Sequence, residues 1–335
     1  MSRGATALAA LLVTLGRPSW WLLGLAAFLV RGGVLLFLIP IVALPSPLAL
    51  SNAAAPTIMA AAFGRISPEL IGLVVALVLA GLAWLLAGGL LAAAADLALL
   101  REATAAAAEE GVGHLAVAER PGIARRILAA RILALVPFVV AVIVGTVGIV
   151  GSAYVELTRP RDVDAPLALR VLAGAVWHVV GIIVTWVFAE VVGGAAERRV
   201  VFNATPPFLA VSDGTVDLVR RPVSIGATWI VATIVLLALA GANLLASGIA
   251  WDRLRALVVD RNTEPLWIGL ALLGFVGTWL AALTLAGIAG SARTALLVFE
   301  EVRARSRVGL RPGTYGAGTH RRPGDWSVGD EGGSL

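Results

Sequence analysis

Cysteine, lysine and glutamine are all absent from this chain of 335 residues. Without cysteine there is no disulfide, no thiolate metal site and no thiol nucleophile. Without lysine, a phosphate-binding glycine-rich loop that needs its Lys cannot form. Histidine occurs three times, and His114 and His320 fall outside the apolar stretches, so no membrane-embedded site with two His ligands can be assembled. Charge is scarce as well: 14% of residues are charged and 59% hydrophobic, with a mean hydropathy of +0.93. That balance belongs to a polypeptide whose main solvent is lipid. All 26 basic residues are arginine, which we read as the mark of a GC-rich bacterial genome.

What is present is apolar length. Stretches at about 20–45, 70–100, 128–155, 169–195, 223–250 and 266–298 are each long enough to cross a bilayer, and they leave no room for a soluble domain. The sequence therefore predicts an all-α, polytopic transmembrane helix bundle of six spans. Sorted by alternate loops, seventeen arginines fall on the side of both termini and seven on the other. The positive-inside rule then places both termini in the cytoplasm and the chain in a bacterial inner membrane. A pI near 11.0 points to nucleic acid in a soluble protein. Here arginine on inner loops sets orientation and meets anionic head groups, so the expected partner is the lipid bilayer and not nucleic acid.

The expected organisation is an interfacial N-terminal helix over residues 1–19, a six-span domain over 20–299 and a disordered cytoplasmic tail over 306–335. Leu8, Leu11, Leu12 and Leu15 share one helical face, and Arg17-Pro18-Ser19-Trp20-Trp21 follows in place of a signal-peptide cleavage site. The apolar stretch Leu48 to Phe63, bracketed by prolines, is expected to lie in the interface or to re-enter the membrane. Span two should continue through the helix formers Glu102 to Glu110 as far as Gly111-Val112-Gly113. The spans read as three hairpins, entered at Arg17-Pro18, Arg125-Arg126 and Arg221-Pro222. Each returning helix carries a Trp followed by a polar group three to four turns later: Trp84 and Asp96, Trp186 and Arg198, Trp279 and Arg293. That spacing suggests an internal repeat.

Arg31 is the sharpest anomaly, about halfway through the expected first span. A mid-helix Arg costs roughly 2.5–3.5 kcal/mol on insertion scales, so it should face the protein interior and a partner. Glu190 in span four and Asp96 in span two are the available acids, and we expect Arg31 to pair with Glu190 in a polar pocket or pathway. The plainer reading is an ion pair that only braces the bundle, or snorkelling beside Gly32-Gly33. His178 and Asn243 fit lone hydrogen-bonded or interhelical roles, and Arg293 completes the candidate polar site. No catalytic, cofactor-binding or metal-binding residues are assigned. Glu300-Glu301 with Arg305 spells the EExxxR of CAAX-protease-like membrane peptidases, but the required His-bearing motifs are missing.

The Arg-Pro entries at Arg17-Pro18 and Arg221-Pro222, with three hairpins of small-residue-rich helices and both termini inside, resemble the six-helix bacterial membrane domain associated with glycerophosphodiester phosphodiesterases. The resemblance covers about residues 15–305 and includes no phosphodiesterase domain. It implies a stand-alone, non-catalytic membrane domain or a partner subunit of a larger assembly. The alternative is a transporter or permease, including the membrane subunit of an ABC exporter beside an ATPase, with a polar site around Arg31 and Glu190.

Overall fold

A computed structural model describes residues 2–38, 68–159, 167–220, 222–260 and 264–308. Every regular element among them is a helix: α1 (Arg3–Gly16), α2 (Pro18–Phe28), a π-helical turn (Leu29–Gly33), α3 (Val34–Leu38), α4 (Pro68–Glu109), α5 (Ile123–Thr158), α6 (Leu167–Gly174), α7 (Val176–Asn203), α8 (Pro207–Arg220), α9 (Pro222–Val259) and α10 (Pro265–Val308). Five of these helices, α2, α4, α8, α9 and α10, begin on proline, whose missing N–H is no loss in a first turn. α4 runs on to Glu109, as its helix formers predict. It closes with Gly111 at φ 67° and the Val112 amide donating to the Ala107 carbonyl at 2.9 Å.

Four of the helices are long and apolar enough to cross a bilayer: Ile71–Glu109, Ile123–Thr158, Val176–Asn203 and Pro265–Ser306. The chain is a helical membrane protein. The first of the six expected spans is described only to Leu38, and the expected fifth falls largely on side chains outside the described set. The Leu48 to Phe63 stretch and residues 309–335 also lie outside the described residues.

Two helix pairs pack most extensively, α5 on α7 and α9 on α10. α2 lies against both α4 and α10, and more of it against α10. Glycine is the reason for that second contact: a Cβ on Gly24 would stand 2.7 Å from the Gly287 carbonyl oxygen, and one on Gly287 would stand 2.5 Å from that of Trp21.

The packed core lies toward one end of the bundle. Trp20 of α2, Leu99 and Ala103 of α4, Ile127 of α5, Val200 of α7 and Phe299 of α10 are all buried there. The opposite halves of α4, α5 and α10 present exposed Leu, Val and Ile, as helices solvated by lipid do. α4 alone rises about 63 Å, twice the ~30 Å of a hydrocarbon layer, so it carries core-forming residues well past its apolar run. α1 meets α2 at 93°. It buries Thr6, Ala10 and Thr14 and leaves Leu8, Leu11, Leu12 and Leu15 exposed.

Candidate functional site

The first apolar stretch is not one continuous helix. Its α-helical ladder loosens into the π turn at Leu29–Gly33, where Gly32 adopts φ 106°, a conformation open to glycine at little cost. Arg31 sits inside this break. Around it α2, the π turn, α4, α5, α7 and α10 enclose a cavity of about 490 Å³, within the range of small-molecule sites.

Helical spacing brings charge into the cavity. On α7, Glu190, Gly194 and Glu197 follow at i, i+4 and i+7, with Arg198 beside them; on α10, Gly290, Arg293, Thr294 and Leu297 repeat the pattern. Asp96 enters from α4 and Arg131 from α5. Seven charged side chains therefore line one space.

Their pairing is specific. Arg31 forms an ion pair with Asp96, whose side chain is 8% exposed. Arg131 donates from Nε and Nη2 to Glu197 Oε2 at 3.2 and 2.7 Å, and its Nη1 stands 3.8 Å from Glu190. Glu190 lies between two cations, since Arg293 Nη2 is also 3.8 Å away. In a poorly solvated interior such attractions are strong, and they offset the desolvation of each ion only while every partner is present.

Four candidates read from the sequence, Arg31, Asp96, Glu190 and Arg293, line this cavity. The expected pair does not form: Arg31 takes Asp96, and Glu190 takes Arg131 and Arg293 instead. The reason is level along the bundle. α2 runs antiparallel to α4, with Arg17 against Glu109 at 2.6 Å and Trp20 Nε1 donating to Glu102 at 2.5 Å. That register carries Arg31 to Asp96, at the end of the apolar run of α4.

His178 and Asn243 lie outside the cavity. His178 packs over Gly148 of α5, with its Nδ1 buried and without a hydrogen-bond partner among the described residues. On α9 the Asn243 carbonyl accepts from Ser247 Oγ at 2.8 Å. Arg131, Glu197 and Arg198 are lining residues that the candidate set lacks. For Glu197 the signal was its place seven residues after Glu190, on the same face. Asp96, Arg198 and Arg293, the polar members of the three Trp-to-polar spacings, all reach this one cavity.

Among the described residues no group of three or more His, Cys, Asp or Glu is arranged to hold a metal ion. No family model, no curated protein and no solved structure matches the chain.

Proposed function

We propose that this protein is a six-span membrane protein of the transporter or permease class, with both termini cytoplasmic, and that the charged cavity is its solute site. The observation that carries this reading is the coincidence of a broken first span with a cavity lined by seven charged side chains. Discontinuous helices at a polar site are a recurrent feature of transporters, because unwound backbone is tolerated at membrane depth only where it lines a cavity. Ionisable residues that several membrane helices turn toward one shared cavity are candidates for a functional role. The arginine-rich loops and termini support the orientation.

A genetic test works whatever the solute is. Solute profiling of cells lacking the gene should reveal a compound whose distribution returns to normal with the wild-type protein. Glu190→Gln and Arg293→Gln at matched abundance should fail to restore it. Full restoration by both variants would sink the reading.

A second reading, a subunit of a larger assembly, is favoured by one observation on α1. The Arg17–Glu109 ion pair locates the α1–α2 corner at the far end of α4, about 20 Å of helix past Asp96. The exposed leucine face of α1 thus stands beyond the apolar run of α4 and is offered to a partner such as an ATPase subunit. Leu12→Trp separates a partner-facing helix from an interfacial one. Its fluorescence should be indifferent to brominated lipids in this second reading, and quenching by them would return α1 to the inner leaflet.

A further inference from the structure

Arg198 gives the cavity its excess of charge. Four guanidinium groups, those of Arg31, Arg131, Arg198 and Arg293, face three carboxylates, those of Asp96, Glu190 and Glu197. Every carboxylate is engaged by one or more of the other three arginines. Half-buried Arg198 has no ion pair or hydrogen bond among the described residues. Farther along α10, Glu301 is committed to Arg305 at 2.8 Å. Glu197 and Glu301 act on Arg198 only at longer range, as carboxylates already committed to other arginines, and its planar fork of donors matches the oxygens of a phosphate.

Depth narrows the choice of anion. From Ile71 to Asp96 α4 rises about 37 Å, more than the ~30 Å of a hydrocarbon layer, so a layer that begins at Ile71 ends before Asp96 and puts the charges at head-group depth. Lipid head groups carry phosphate at that depth, and dissolved phosphate reaches it from the adjoining water. We propose that the cavity binds a phosphate group, with Arg198 as its anchor and Arg31 and Arg293 on its flanks. This rests on the reading of the cavity as a solute site, and equilibrium binding tests it separately from transport.

The full-length protein in phosphatidylcholine nanodiscs should unfold at a higher temperature when inorganic phosphate is added, or when phosphatidylglycerol is built into the disc. The first outcome identifies dissolved phosphate as the source and the second a lipid head group; both support the proposal. Arg198→Gln should weaken whichever response is seen by about tenfold or more, the loss of one charge-assisted bidentate contact. Arg198→Lys, which keeps the charge but not the fork, should fall between. Arg101→Gln, an equal loss of charge at an exposed site, should respond as wild type. Without ligand, Arg198→Gln should be no less stable than wild type, because the group removed makes no hydrogen bond or close ion pair and shares the cavity with three other guanidinium groups. The proposal is overturned if neither probe stabilises the wild-type protein, if Arg198→Gln responds like wild type, or if ligand-free Arg198→Gln is clearly less stable.

Discussion

Arg131 and Glu197 hold each other through two N–H···O contacts in a largely buried setting; Glu197 alone would lose its only close cation, and Arg131 alone would keep only the longer contact to Glu190. Arg131→Gln or Glu197→Gln should therefore lower stability by about 3–5 kcal/mol, while the double variant should lose much less than the sum. Thermal unfolding in detergent measures this, and strict additivity would deny the pair. Arg31 and Asp96 should behave alike: charge reversal at either position should depress folded yield, and reversal at both should restore most of it. Arg31, Asp96, Glu190 and Arg293 are legible in the sequence because a charge inside an apolar run is conspicuous. Partner choice is not legible, since it depends on the register of α2 against α4. Arg131 reads in the sequence as one of the loop arginines that set orientation, although it stands within α5 beside the start of the apolar run.

Among the elements, α2 and α10 meet at glycine. A Cβ on Gly24 would press on the backbone of Gly287 and Ser291, whereas one on Gly81 of α4 meets open space. Gly24→Ala should accordingly cost about 1–3 kcal/mol and lower the unfolding temperature, and Gly81→Ala should be neutral or mildly stabilising. Equal effects of the two substitutions would contradict this packing. Gly32→Ala also has open space, but its φ of 106° strains any other residue, so it should shift the π turn and with it Arg31. The existence and apolar character of the long helices can be read from hydropathy alone. The break at Leu29–Gly33 cannot, because Gly32-Gly33 is equally compatible with close helix packing. The extension of α4 past its apolar run is visible in the helix formers of Glu102 to Glu110.

On the scale of the whole molecule, the bundle combines a packed end with an apolar collar, and the charged cavity lies where they meet. A bilayer around the collar leaves the packed end in water, and in the proposed orientation that end faces the cytoplasm. Reporter fusions at residues 55, 162 and 258 should all report the outer side, and an inner signal at any of them would break the six-span arrangement. On the proposed function the cavity is a working site and not a sealed brace of ion pairs. Because the chain has no cysteine, a single Thr294→Cys substitution in the cavity lining is a unique chemical probe. In sealed vesicles of each orientation, a membrane-impermeant thiol reagent should label it rapidly from the inner side and more slowly from the outer side, while Gly81→Cys on the lipid-facing helix stays unlabelled. Labelling of Thr294→Cys from neither side would contradict the claim.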